Sequence, residues 1–152
     1  MTEEQKKAAT SFLTSHAVGV LATLSPEGTP RARTVYYSAD DSFGVYFCTL
    51  TGTRKIEDIA QDVHGAFVVS SEDTPQTIQL EGTIADLTET ATINDVIQKL
   101  SDKIMERGTH FAPLTHLDAG TIAFYKLTPT WVRWGDFTDG FGADKTFTEI
   151  SL

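Results

Sequence analysis

The chain has 152 residues, 40% of them hydrophobic and 22% charged, and 21 acidic against 12 basic side chains leave a formal net charge of −9. That length suits one domain with a sizeable core, spanning residues 1–152, and the composition excludes a disordered chain. The acidic surplus repels phosphate backbones and anionic bilayers, so neither nucleic acid nor a membrane surface is an expected partner.

Residues 3–15 read as a helix, with Ala8, Ala9, Phe12, Leu13 and His16 near a 3.6-residue spacing. The start, Met-Thr-Glu-Glu-Gln-Lys-Lys, is unlike the basic beginning of a secretory leader. Three short strands follow in meander order. Ala17–Leu24 is apolar, and far shorter than the roughly 20 residues of a spanning helix. It ends in the turn Ser25-Pro26-Glu27-Gly28. Arg31–Ser38 alternates, and Ala39-Asp40-Asp41-Ser42 turns the chain into Phe43–Cys48. The lone cysteine, Cys48, rules out an internal disulfide. With no leader or span in view, the cytoplasm is the expected compartment.

After Cys48 comes Thr49-Leu50-Thr51-Gly52-Thr53-Arg54-Lys55, a turn rich in hydroxyls that opens a helix to about Asp62. Ile56, Ile59, Ala60 and Val63 mark its expected buried face. Two cations at a helix start are locally unfavourable, because that end carries about half a positive charge. A bound phosphate would reverse the balance, held by free N–H groups, threonine hydroxyls and the two cationic heads. The alternative is that Arg54 and Lys55 face solvent or pair with Glu57 and Asp58. Arg33 bears on the choice: alternation puts it on one face with Val35 and Tyr37, either as an exposed edge residue or as an inward charge, and the phosphate-like turn one strand later favours the inward charge.

Gly65–Ser71 and Thr77–Leu87 form a further strand pair across Glu72-Asp73-Thr74-Pro75. A helix over Glu89–Arg107 presents Ile93, Val96, Ile97, Leu100 and Ile104 on one face. Gly108–Ala119 reads as a loop; its His110 and His116, with Asp118 nearby, do not make a metal motif. Two last strands, Thr121–Leu127 and Trp131–Trp134, are interrupted at Thr128-Pro129. Tyr125, Trp131, Trp134 and Phe137 form an aromatic patch suited to stacking on a flat ring, or to core or interface packing. The whole pattern predicts a mainly β chain: an antiparallel, Greek-key-like split β-barrel of six to seven strands, with an N-terminal helix and inserted helices.

In this order, Gly19-Val20-Leu21-Ala22-Thr23-Leu24, Pro26-Glu27-Gly28-Thr29-Pro30, Arg33, Tyr36-Tyr37, Val45-Tyr46-Phe47-Cys48-Thr49, Thr53-Arg54-Lys55 and Gln79-Leu80-Glu81-Gly82-Thr83 resemble the pyridoxamine 5′-phosphate oxidase-like superfamily. The resemblance implies an FMN-binding split barrel working as a homodimer, with flavin in a cleft between subunits. It assigns the FMN phosphate to Arg33 and to Thr53, Arg54 and Lys55. It assigns the ring and ribityl chain to the backbone around Thr34 and Val35 and to Cys48 and Thr49. Gln79 would reach the flavin from a neighbouring strand, from the same subunit or its partner; Trp131 joins these from the aromatic patch, as a ring able to stack on the flavin. The sequence departs from the family's oxidases at Ser38, where they carry a lysine, and in lacking their C-terminal basic grip on a substrate phosphate. It therefore looks closer to the general-stress-protein branch. The implied activity is a flavin-dependent oxidoreductase with a small-molecule substrate or reductant. The alternatives are a non-catalytic flavin module, or a related split barrel using F420 or haem.

Overall fold

The computed structural model describes residues 2–106, 122–140 and 147–152. The loop expected at Gly108–Ala119, with His110, His116 and Asp118, lies outside the described residues, as do Arg107 and Thr121. Helix α1 (Glu3–Ser15) is opened by a reciprocal capping box between Thr2 and Gln5. It buries Ala9, Phe12 and Leu13, while Ala8 stays exposed. Strands β1 (Val18–Leu24), β2 (Pro30–Ala39) and β3 (Val45–Leu50) form the expected meander. Helix α2 (Arg54–Gln61) leads to β4 (His64–Ser70) and β5 (Gln76–Asp86), and α3 (Thr90–Glu106) precedes β6 (Ile122–Asp136) and β7 (Phe147–Ile150).

The strands run in the order β3-β2-β1-β4-β5-β6-β7, and β3 also pairs with β6. Six antiparallel strands therefore close into a barrel and β7 extends it. Strand β4 returns beside β1 after the three-strand meander, which is the Greek-key arrangement. Inward positions at period two fill the interior: Leu21, Val35 and Tyr37, Val45 and Phe47, Phe67 and Val69, Ile78 and Leu80, Leu127 and Val132 are all buried. The Tyr37 hydroxyl donates to the Leu13 carbonyl at 2.6 Å, which ties α1 to the barrel.

Three local expectations are corrected. The break at Thr128-Pro129 is a bulge within one long strand. Glu81 pairs with Trp131 and Gly82 with Pro129, leaving Thr130 as the extra residue. A Cβ on Gly82 would stand 2.1 Å from the Thr128 carbonyl oxygen and 2.8 Å from Pro129 Cα, so the kinked strand needs glycine opposite it. The bulge lets β6 pair with β3 at one end and β5 along most of its length. Second, α2 buries Asp58 and Ile59 while Ala60 and Val63 are exposed, so its inner face is not the purely apolar one expected. Third, the aromatic patch is divided by the strand's alternation. Trp134 and Tyr125 enter the core, against Phe12 and Phe47 respectively, and Trp131 stays on the outer face. Strand β7, four residues long, had no counterpart among the expected elements. No helix among the described residues is long and apolar enough to cross a membrane.

Candidate functional site

Asp58 is fully buried at the end of the barrel closed by α2. Its Oδ2 accepts from Thr23 Oγ1 at 2.8 Å and Arg33 Nη2 at 3.1 Å, and its Oδ1 accepts from Arg31 Nη1 at 2.7 Å. Arg33 also donates to the Thr23 hydroxyl. Burial pushes the Asp58 carboxyl upward, but the hydrogen bonds from Thr23 and Arg33 and the charges of Arg31 and Arg33 hold it below its ordinary value. Both arginines lie on the inward face of β2, as alternation predicts for Arg33. Asp58 is the residue sequence reasoning missed as a site member, since one of two adjacent carboxylates in a short amphipathic helix gives no sign of partners on two distant strands.

Lys55, on the first turn of α2, is half-buried. Burial lowers its pKa, and the Arg33 guanidinium lowers it further, so the two cations stand close enough to repel. Among the described residues neither Arg54 nor Lys55 has a carboxylate within ion-pair distance, which removes the alternative of pairing with Glu57 or Asp58. Two arginines, Arg31 and Arg33, thus share one buried carboxylate, and Lys55 adds a third cation beside Arg33. Glu27 reaches Arg31 only at 3.9 Å from the solvated rim. The surplus is positive in an acidic molecule.

The turn before α2 completes this corner. Gly52 adopts φ +79°, a left-handed conformation that glycine takes without a Cβ clash. Thr53 is the N-cap residue, yet its side chain does not cap the helix; its hydroxyl lies 3.2 Å from that of Thr49. The first-turn amides therefore have no side-chain acceptor among the described residues, and the Ile56 amide donates to the Thr53 carbonyl. Cys48 neighbours Lys55, and burial pushes its thiol up to about 11, away from the thiolate form that a nucleophile needs. Lys55 lies near Arg33 and Cys48, Thr49 meets Thr53, and Arg54 is exposed at the same helix start. Val35 is buried in the core and Thr34 faces outward, so only their backbone can serve a common ligand.

Gln79 and Trp131 are placed elsewhere, on the outer face of the sheet. They line a cavity of about 390 Å³ with Val20, Ala32, Val68 and Glu81 among its walls. Ala32 is one residue from Arg33 but on the opposite side of β2. A second cavity of about 310 Å³ shares Ala22, Ala66 and Glu81 with the first and runs on to His64 and Thr130. The outer face is apolar for a solvent-facing sheet: Val18 is 39% and Val20 37% exposed, beside exposed Ala32 and Ala66.

Residues 5–134 match the family described as pyridoxamine 5′-phosphate oxidase. No curated protein matches the chain. Among solved structures, a haem-binding protein from Mycobacterium smegmatis superposes with a TM-score of 0.73 at 18% identity, over 99% of this chain and 59% of that one. The chain thus spans less than two thirds of that protein's length. An F420 reductase superposes at 0.65 with 25% identity, over 80% of this chain and 93% of that one. A FAD-binding protein from Mesorhizobium loti superposes at 0.64 with 18% identity, over 83% and 88%. General stress protein 26 relatives from Clostridium acetobutylicum and Bacillus anthracis share the fold as well.

Proposed function

The chain belongs to the pyridoxamine 5′-phosphate oxidase family, and on that footing we propose that it is a cytoplasmic FMN-binding flavoprotein acting as an oxidoreductase. The observation that carries the reading is the charge surplus at Lys55 and Arg33, balanced only in part by Asp58. A dianionic phosphate is the ligand chemistry that relieves two mutually repelling cations beside an uncapped helix turn. Arg33, Lys55 and Arg54 would supply charge, and Thr49 and Thr53 hydroxyls and the first amides of α2 would supply hydrogen bonds. FMN, when bound, supplies the capacity to accept a hydride or single electrons. The chain's own task is to bind, orient and desolvate. No side chain is assigned as an acid or base.

The same reading makes the working unit a homodimer. Val18, Val20, Ala32 and Ala66 form an apolar face that a second copy would cover. Gln79 and Trp131, on that face, would meet the ring whose phosphate sits at the cation corner of one subunit or the other. The substrate is a small molecule or reductant that reaches the exposed side of the ring.

The deciding experiment is purification from a flavin-replete host, followed by release and chromatography of any chromophore. A yellow protein that releases FMN supports the reading; a colourless protein that FMN does not titrate overturns it. Bleaching by NADH or NADPH under anaerobic conditions then tests the oxidoreductase step, and a bound flavin that neither donor reduces favours the storage or sensing alternative. The 25% identity to an F420 reductase favours F420 as the second reading. Competition between FMN and F420 for the same protein separates the two.

A further inference from the structure

Arg133 lies on the outer face of β6, directly opposite Gln79 on β5. Its Nη2 donates to Gln79 Oε1 at 2.8 Å. The guanidinium carbon sits 4.4 Å from the Phe147 ring centroid and 5.5 Å from that of Trp131. Among the described residues no carboxylate lies within ion-pair distance of this arginine. It is held by stacking on two rings and by one directed hydrogen bond.

A guanidinium can only donate, so the atom of Gln79 that meets it must be the carbonyl oxygen. The amide's two ends are therefore not interchangeable here. With Oε1 turned toward Arg133, the Nε2 end of the amide points away from it, and Nε2 has no protein partner among the described residues. Gln79 and Trp131 both line the cavity of about 390 Å³. An amide donor and an aromatic face side by side suit a flat heterocycle with a hydrogen-bond acceptor on its edge.

We infer that Arg133 is a positioning residue: by taking Gln79 Oε1 it commits the Gln79 amide to donating from Nε2 to an acceptor on the edge of a ring held beside Trp131. The inference rests on the flavin reading for the identity of that ring. Phe147 on β7 packs against the same guanidinium, which gives the short β7 strand a role in bracing the arginine.

The test uses the full chain and FMN, followed by quenching of flavin fluorescence, with melting temperature as the control for folding. Arg133→Met keeps the apolar stem and removes the donor; it should weaken FMN roughly fivefold to tenfold, the loss of about one hydrogen bond. Arg133→Lys restores a donor and should recover most of that loss. On a Gln79→Leu background, Arg133→Met should add little, because its partner is already gone. Full losses that multiply on both backgrounds, or a lysine no better than methionine, would overturn the proposal. A second readout needs no flavin: ¹⁵N relaxation of the Gln79 side-chain amide in the ligand-free protein. The amide should be restricted in the wild type and in Arg133→Lys, and mobile in Arg133→Met. A wild-type amide as mobile as a surface glutamine sinks the positioning role whether or not FMN binds. A restricted amide in a protein that refuses FMN upholds the positioning role and rejects the flavin reading instead.

Discussion

Arg33 of β2 and Asp58 of α2 meet at 3.1 Å across the end of the barrel, and this pair joins the fold to the candidate phosphate corner. The carboxylate is fully buried, whereas the arginine side chain keeps 21% of its surface. Removing the carboxylate would leave Arg31 and Arg33 side by side with only Glu27, 3.9 Å from Arg31 at the solvated rim, as counter-charge.

Asp58→Asn is expected to destabilise the protein by about 2 kcal/mol, below the figure for a fully buried pair because both guanidinium groups reach solvent. Added inorganic phosphate should raise the variant's melting temperature more than the wild type's, since it replaces the lost anion. The wild-type carboxyl titrates below the usual range, so its contribution is complete at neutral pH and is lost as the pH falls through its folded value. The stability gap between the two proteins, followed by urea denaturation, should therefore close below about pH 4.

Arg54→Ala with Lys55→Ala is expected to weaken FMN by roughly tenfold or more and riboflavin far less. Calorimetric titration with both ligands checks this. Equal losses would contradict contact with the phosphate.

Lys55 also predicts an alkaline limit on binding. Burial and the Arg33 charge lower its pKa, and a bound phosphate would favour the protonated amine. Affinity for FMN should therefore fall as the pH rises through the free protein's Lys55 value, beginning below the ordinary lysine range. Riboflavin affinity should stay level over the same interval, and a parallel decline of both would point to another group.

Gly82→Ala should cost on the order of 3 kcal/mol, because the new methyl meets backbone at Thr128 and Pro129 and not a flexible side chain. Thermal unfolding reads the effect. A loss below about 0.5 kcal/mol, the scale of ordinary surface changes, would mean that the β6 bulge is looser than described.

Val20→Glu tests the apolar outer face. Val20 is 37% exposed in the single chain, so the substitution should spare the fold while placing charge where a second copy would pack. Sedimentation should show a dimer in the wild type and a monomer in the variant, with FMN lost together with the dimer. A variant that remains dimeric and yellow would move the interface elsewhere.

Period-two patterning and turn residues were enough to read β1 to β5, and 3.6-residue spacing enough for the helices, because both signals are local. They also put Arg33 on the inward face beside Val35 and Tyr37, where it is found. The same local logic failed at Thr128-Pro129, where a proline looked like a strand end and its partner, Gly82, was 47 residues away in the chain. It failed again at β7, whose four residues carry too little pattern to stand apart from a loop and are stabilised by pairing with β6.

The candidate site divides along the same line. The hydroxyl-rich turn and its two cations were visible in sequence because charge at a helix start is a local conflict. Closure of the barrel alone could bring Arg33 from β2 to Asp58 and Lys55 on α2, and set Gln79 against Arg133 across two strands. Residue types and their spacing state which charges exist. Which charges neutralise one another depends on distances of a few ångströms between segments far apart in the chain, and those the tertiary structure decides.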